Sequence, residues 1–341
     1  MAVLGNYFDE ALSNIEPDDD KKNAAKAHAE VSAALRADER LKKLGIDPVL
    51  IGSYKRNVSI KRVKDVDVFG RLEEADENLT PAAALDLFEE VLAAEFGQDR
   101  VERQPRSLKI NFPDFDLTVD AVPARRCGDH WELPNRPEEA ERAQWVETNP
   151  LLLNDLTIEM NDTYKVNDMG IYVPIVKLVR QVRRTWVEDH PGGFFFEIMT
   201  YWAFKSGELT AITTPEYLVQ VLEQIAATLP TIAEDGLEDP TLPDKTISTK
   251  AEEADFEQAI EGINKAAELA RKAFNEGDDC KSAVLWRELL GVIKGVEDDD
   301  NDNDEYVFPL PSYCNTDGTR KNATSVTRGA ATVPAGSDRF A

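Results

Sequence analysis

The sequence is poor in basic residues, in cysteine and in long apolar runs. Its 341 residues include 65 acidic against 39 basic side chains, which gives a formal net charge of −26 at pH 7. A protein that coats nucleic acid or an anionic membrane needs cations to neutralise phosphate, so this composition argues against both classes. Any surface that binds nucleotides must be a local basic patch in an acidic field.

Two other shortages limit the location and the metal chemistry. No stretch reaches the roughly 20 apolar residues that span a bilayer, and no basic flank followed by an apolar segment begins the chain, so we expect a cytoplasmic protein without membrane contact. The cysteines Cys127, Cys280 and Cys314 are odd in number and far apart, so we expect reduced thiols. Cys127 and His130 alone cannot satisfy tetrahedral zinc, which needs four ligands.

The N-terminal half alternates between helical and extended patterns. Residues 3–15 and about 20–44 carry apolar side chains at helical spacing, and the second segment stops at Gly45. The segments "VLIGSY", "DVDVFGRL", "SLKINF" and "FDLTVDAVPA" predict strands. Between them, "TPAAALDLFEEVLAAEFG" has the threonine cap, the first-turn proline and the terminal glycine of a helix.

The C-terminal half has a helical period, and the last segment has little to bury. We therefore predict an α/β (α+β) core with an N-terminal helical brace over residues 1–165 and an α-helical lobe over 166–296. Residues 297–341 are first acidic and then rich in small residues, which predicts a flexible tail.

Two aspartates separated by one valine stand out in "KDVDVF". On a strand, Asp65 and Asp67 would project from one face about 7 Å apart, near enough to share hard divalent cations. The alternative is a solvated acidic edge. Valines and Phe69 alternate with the acids, however, and indicate a buried opposite face, where unpaired charge is costly.

A second strand and a glycine-serine pair extend this pattern. Asp116 and Asp120 lie in "FDLTVDAVPA", which we expect to end at Pro123, and three carboxylates from two neighbouring strands can hold two magnesium ions. Gly52 and Ser53 follow the first strand. A glycine there lets backbone N–H groups and the serine hydroxyl approach phosphate, although a simple turn is the commoner explanation for such a pair.

A basic stripe is the remaining candidate. Lys177, Arg180 and Arg184 fall three and four residues apart in "PIVKLVRQVRRTW", which places them on one side of a helix. The alternative is a solvated helix face. Because a triphosphate needs cations and this is a dense basic stretch in an acidic chain, we expect it to bind phosphate.

These segments together resemble the polymerase-β-like nucleotidyltransferases. More narrowly, residues 40 to 295 look like the cGAS/DncV-like nucleotidyltransferases (CD-NTases), the second-messenger synthases of CBASS anti-phage systems. The resemblance is carried by "IGSYKRNVSI", "KDVDVF", "VDAVPA", "WVETNP", "KLVRQVRRTW", "AELARKAF" and "SAVLWRELLG".

The resemblance implies a role for each candidate residue. Gly52 and Ser53 would bind the donor phosphates, and Lys177, with Arg180 beside it, would hold the triphosphate. The catalytic acids Asp65, Asp67 and Asp120 would hold two Mg²⁺ (or Mn²⁺) ions, with Asp116 as the reserve for the third position.

The implied reaction joins NTPs, ATP among them, into a cyclic di- or trinucleotide and releases pyrophosphate. Two positions depart from the family pattern. Val58 stands where threonine is usual, which would leave Ser53 without a hydroxyl neighbour, and Gly193 stands where serine is frequent. Neither change removes a metal ligand, so we expect activity.

The tail suggests a partner. CBASS operons commonly encode a ubiquitin-transfer-like protein that joins such a C-terminus to a target, which would make Ala341 the conjugation site. Two rival functions remain: a template-independent RNA-tailing nucleotidyltransferase, disfavoured by the net charge, and a non-catalytic interaction protein, disfavoured by the acidic triad. We expect no stable binding of nucleic acid.

Overall fold

A computed structural model describes residues 4–61, 63–135, 144–293 and 305–321. The helices are α1 Gly5–Asn14, α2 Asp18–Ala37, α3 Glu39–Lys43, α4 Gly52–Lys55, α5 Pro81–Phe96, α6 Pro150–Thr163, α7 Tyr172–Trp186, α8 Gly193–Lys205, α9 Thr214–Asp235, α10 Glu253–Asn275 and α11 Asp279–Leu290. The strands are β1 Ile46–Ile51, β2 Asp65–Leu72, β3 Val101–Arg103, β4 Leu108–Phe112, β5 Leu117–Cys127, β6 His130–Asn135, β7 Gln144–Thr148, β8 Lys165–Val166 and β9 Met169–Gly170.

Helix caps explain where the predicted helices begin and end. Helix α5 starts as expected, because the Thr80 side chain accepts a hydrogen bond from the backbone N–H of Ala83 at 3.1 Å. The predicted helix over 20–44 is wrong as a single element. Asp38 has extended backbone dihedrals and its carboxylate caps α3, so α2 ends one residue before it.

One mixed sheet organises the N-terminal part of the described chain. Its order is β1-β2-β5-β4-β3, and β6 and β7 extend from β5. β2 and β5 run parallel, whereas the other neighbours are antiparallel. The expectation that β5 ends at Pro123 is wrong, since the strand continues to Cys127 and Pro123 pairs with Gly70.

Two large apolar cores and a smaller cluster around Phe69 and Trp131 lie in the described part of the molecule. The core lobe comprises the sheet with α2 and α5, whose apolar faces pack together. The helical lobe comprises α6–α11, whose core includes Phe196, Leu222 and Trp286. The predicted α/β core and α-helical lobe are thus present, while the predicted limits at residues 165 and 296 stay predictions.

The two N-terminal helices, which we expected to brace the core together, pack in different places. Helix α2 lies on the sheet. Helix α1 instead buries Phe8, Ala11 and the following Ile15 in the helical lobe. The chain therefore crosses between the lobes directly after α1.

Part of the predicted flexible tail is packed. Residues 305–321 bury Val307 and Phe308 against α1 and α11, which gives this segment the apolar anchor that its composition conceals. The expectation of reduced thiols is also wrong for two cysteines, because Cys280 and Cys314 form a disulfide, with their Cα atoms 5.3 Å apart. Cys127 is free. Residues 322–341 lie outside the described range.

Among the helices that the structure describes, none combines the length and the apolar character needed to cross a bilayer. The cytoplasmic location stays a prediction.

Candidate active site

A cleft of about 1010 Å³ lies between the two lobes. Its core-lobe wall contains Gly52, Ser53, Asp65 and Asp67 together with residues of β6 and β7. Its helical-lobe wall contains Arg180, the N-terminal part of α8 and residues 239–248 except Pro240 and Pro243, with Glu197 between the two walls. The structure thus brings together five of the predicted site residues in one cleft.

The sheet register places two of the predicted acids side by side. Asp67 on β2 pairs with Asp120 on β5, and Asp65 precedes Asp67 by two residues on the same face. Asp120 lies beside Asp67 and is not part of the cleft wall. The reserve candidate Asp116 precedes β5, with a left-handed backbone (φ 48°), so the register favours Asp120.

Burial, assisted by neighbouring negative charge, favours the protonated forms of Asp67 and Asp120. Burial raises the pKa of Asp67 to about 7, assisted by the charges of Asp65 and Asp120 and opposed by Arg56. Burial also raises the pKa of Asp120 to about 6; Lys109 opposes this shift, and Asp65 adds to it. A group of acids in this state favours a ligand that brings positive charge.

Gly52 makes room for the central acid. Its φ of +75° lies in the left-handed region, and a β-carbon placed there would lie 1.9 Å from Oδ2 of Asp67. Only glycine therefore lets the segment Gly52–Lys55, called the phosphate loop after the role predicted for it, close over the carboxylate. This contact links Gly52 to Asp67, which lies 15 positions later in the sequence.

Ser53 has the hydroxyl neighbour that the sequence analysis found missing. The Ser59 hydroxyl donates to Oγ of Ser53 at 3.0 Å, so the expectation that Val58 deprives the loop of this contact is wrong. Val58 is buried in the core of the helical lobe. In this chain Ser59, the residue after Val58, supplies the hydroxyl next to Ser53.

The basic stripe on α7 is divided among three environments. Lys177 is buried and forms an ion pair with Glu16, so its amine is paired away from the cleft and the predicted phosphate contact does not fit this geometry. Arg180 lines the cleft, and its phosphate contact stays a prediction. Arg184 donates to the carbonyl oxygen of Lys61. Helical spacing alone did not distinguish these partners.

Sequence reasoning missed several cleft residues, among them Arg56, Phe194 and Glu197. Arg56 and Glu197 form a buried ion pair, with Nε of Arg56 2.6 Å from Oε1 of Glu197. Phe194 lines the cleft with 43% of its surface exposed. Glu197 could have been found, because it is the one acid in the apolar segment "FFFEIMTYWAF" and such a charge must have a partner.

The donor chemistry of the three acids suits a hard divalent cation. Oxygen-only ligands are those that Mg²⁺ prefers, and Oδ1 of Asp120 is buried without a hydrogen-bond partner. In the described ranges, no three acidic, histidine or cysteine side chains already lie close enough to form a complete metal cluster. The three acids supply the oxygen ligands that the ion prefers, and they lie on adjacent strands. A bound ion would have to draw their side chains closer together.

Comparisons with known proteins agree with this geometry. Residues 1–161 match the family model of the Second Messenger Oligonucleotide or Dinucleotide Synthetase domain. The chain is 28% identical over 298 residues to the cyclic AMP-AMP-AMP synthase of an Acinetobacter species, covering 83% of each protein. It is 24% identical to the cyclic AMP-AMP-GMP synthase of Enterobacter hormaechei, covering 84% of this chain and 91% of the relative.

Among solved structures, CdnC of E. coli with ATP superposes with a TM-score of 0.66 at 16% identity, over 85% of this chain and 98% of CdnC. The chain is similar, over most of its length, to nucleotidyltransferases of the cGAS/DncV-like family. The predicted fold class and enzyme class are confirmed. Members of this family generally use divalent metal ions, which agrees with the acids at the cleft of this nucleotidyltransferase.

Proposed function

We propose that this cGAS/DncV-like nucleotidyltransferase joins NTPs into a cyclic di- or trinucleotide and releases pyrophosphate, as a CBASS second-messenger synthase. The observation that carries the proposal is the register of Asp67 with Asp120, beside Asp65 and under the Gly52–Ser53 loop. Two relatives, a cyclic AMP-AMP-AMP synthase and a cyclic AMP-AMP-GMP synthase, support the cyclic product.

Asp65, Asp67 and Asp120 would hold two Mg²⁺ or Mn²⁺ ions. When bound, such ions activate an attacking ribose hydroxyl and neutralise charge on departing pyrophosphate. Asp120 is the residue that we assign to proton acceptance from the hydroxyl, since a pKa of about 6 leaves it mostly ionised at neutral pH.

The triphosphate would lie between the two lobes. The Ser53 hydroxyl already accepts a hydrogen bond from Ser59, so its own proton is available for a phosphate oxygen. From the opposite wall, Arg180 offers guanidinium donors. Phe194 presents an exposed ring on the same wall, where a nucleobase can stack.

Product analysis tests the proposal. The purified protein is incubated with labelled NTPs, singly and mixed, with Mg²⁺ or Mn²⁺, and the products are treated with phosphatase. We expect a small phosphatase-resistant product that disappears in the double variant Asp65→Asn/Asp67→Asn. The control Asp155→Asn/Asp162→Asn makes the same change in charge at two exposed positions of α6 and should retain activity.

The same assay separates the rival function. Long ladders on added RNA would contradict the proposal and favour a template-independent RNA-tailing enzyme. The net charge of −26 counts against that outcome, because binding of RNA would lose its main electrostatic contribution.

The ubiquitin-transfer-like partner stays a separate proposal. Its conjugation site, Ala341, lies outside the described residues. Deletion of Ala341 should abolish high-mass conjugates in cells that contain the partner and should leave nucleotide synthesis unchanged. Conjugates that persist after the deletion would contradict it.

A further inference from the structure

One buried carboxylate joins the two walls of the cleft. Glu197 on α8 has 1% of its surface exposed. Its Oε1 accepts from Nε of Arg56 at 2.6 Å, and its Oε2 accepts from Nη1 of Arg180 at 3.3 Å. Arg56 directly follows the Gly52–Lys55 helix of the phosphate loop, whereas Arg180 and Glu197 belong to the helical lobe.

The two arginines are held to different degrees. Arg56 is buried and has the shorter bond to Glu197. The Arg180 side chain is 17% exposed, and in the described part of the chain its hydrogen bonding is limited to Nη1. Its Nε and Nη2 groups therefore remain as donors at the cleft wall.

The triad of Arg56, Glu197 and Arg180 offers positive charge beside the acids Asp65 and Asp67 of the same cleft. Two guanidinium groups share one carboxylate, so this triad carries one net positive charge at the cleft. Moving either partner of a buried ion pair away would leave an unpaired buried charge, which is costly. This cost keeps the triad in a single arrangement. The Arg180 guanidinium, which lines the cleft, therefore carries the excess positive charge of the triad.

Gly193 completes this arrangement. A β-carbon at this position would lie 3.2 Å from both Cζ and Nη2 of Arg180, closer than ordinary contact. The neighbouring Gly192 has open space around the same position. Glycine at 193 therefore leaves the Arg180 guanidinium undisturbed on the side that faces α8.

We propose that Glu197 is a positioning residue for the triphosphate: it fixes the Arg180 guanidinium at the phosphate end of the cleft and ties the Gly52–Ser53 loop to the helical lobe through Arg56. This inference rests on the proposed function, because the NTP is the ligand that Arg180 would hold. It assigns Glu197 no contact with substrate.

The test compares Glu197→Gln with Glu223→Gln. Glu223 also forms an ion pair with an arginine, Arg271, at 2.5 Å, but it lies outside the cleft on α9. We measure binding of a non-hydrolysable ATP analogue with Mg²⁺, together with KM and kcat. Glu197→Gln should weaken binding and raise KM by about tenfold or more, with a much smaller change in kcat, as expected for loss of a buried charge pair. Glu223→Gln should leave binding and KM within about twofold.

A double variant tests whether Glu197 acts through Arg180. Arg180→Gln alone should weaken binding of the analogue, and Glu197→Gln added to it should weaken binding by no more than about a further twofold, since coupled residues are not additive. Fully additive losses, or binding by Glu197→Gln equal to that of the wild type, would overturn the proposal.

A glycine pair keeps the test usable if Glu197→Gln does not fold. Gly193→Ala should weaken binding of the analogue several-fold by displacing Arg180, whereas Gly192→Ala should not, and equal binding by both would overturn the role of Arg180. A wild type that binds the analogue but makes no product contradicts the proposed function only. Normal synthesis with unchanged binding in Glu197→Gln contradicts the positioning role only. A wild type that does not bind the analogue contradicts both.

Discussion

A single missing β-carbon permits the contact between the phosphate loop and the central acid. A methyl group at Gly52 would overlap Oδ2 of Asp67, so one of the two must move. Catalysis by positioned metals and phosphates is sensitive to such displacement, which can cost on the order of 100-fold for about 1 Å.

We therefore predict that Gly52→Ala lowers the initial rate of nucleotide joining by about 100-fold. Gly207→Ala is the matched control, because Gly207 has a similar φ of +73° but open space at the β-carbon position. It should lose about 1 kcal/mol of stability and keep its rate. Equal rates for the two variants would show that the contact with Asp67 does not matter.

The raised pKa values of the acids predict how stability depends on pH in the metal-free protein. Asp67 and Asp120, at about 7 and about 6, hold protons in the folded chain that the unfolded chain has released above about pH 4. Folding stability is therefore reduced by these groups as pH rises from about 4 to about 7.

Asp67→Asn should remove most of this penalty. In EDTA, the unfolding temperature of the variant relative to wild type should be higher at pH 8 than at pH 5, and added Mg²⁺ at pH 8 should stabilise the wild type more than the variant. Asp155→Asn, an exposed substitution with the same charge change, should show no such difference. The prediction fails if the Asp67→Asn difference is equal at the two pH values.

At the scale of elements, the loop between α4 and β2 performs two tasks with neighbouring residues. Ser59 supports the phosphate loop through Ser53, and Val58 fills the helical lobe. Ser59→Ala should therefore lower the initial rate several-fold with little change in stability.

Val58→Thr should lower stability by about 1–3 kcal/mol, because it buries a hydroxyl without a hydrogen-bond partner. Urea unfolding and initial rates measure both effects, and a faster Val58→Thr enzyme would contradict this assignment.

Patterns among neighbouring residues were enough to predict many helices and strands, but they did not predict which distant side chains pair. The Thr80 cap and the alternation in "DVDVFGRL" predicted α5 and β2, since both depend on neighbouring residues. Strands β6 and β7 and helix α6 were not predicted. The ion pair of Lys177 with Glu16 joins residues 161 positions apart, and no helical period contains that information.

At the candidate active site, too, sequence spacing predicted some features, whereas others depend on contacts between distant residues. The spacing of Asp65 and Asp67 indicated a shared face, and the family resemblance selected Asp120, although the expected strand end at Pro123 was wrong. The pairing of Asp67 with Asp120 depends on which strands lie together. Arg56 and Glu197 are 141 positions apart and meet only because the two lobes meet.

At the scale of the whole molecule, α1 joins segments from distant parts of the chain. Phe8 is fully buried and packs edge-on against Trp286 and Phe308, with ring centroids 4.9 and 5.1 Å away. Phe8→Ala should lower the free energy of unfolding by about 3–5 kcal/mol, as measured in urea. Ile212→Ala, at a side chain that is 77% exposed, should change it by less than about 0.5 kcal/mol. A loss below about 1 kcal/mol for Phe8→Ala would contradict a structural role for this contact.

The position of α1 also has a consequence during synthesis on the ribosome. Asn14, at the end of this helix, bonds to a carbonyl 293 positions later. At about 5–20 residues per second, that distance represents roughly 15–60 s of translation. The part of α1 that packs against Val307 and Phe308 must stay uncovered, or be covered by a chaperone, throughout this interval. The core lobe can therefore fold early, but the nascent enzyme closes its helical lobe only when the segment around Phe308 emerges.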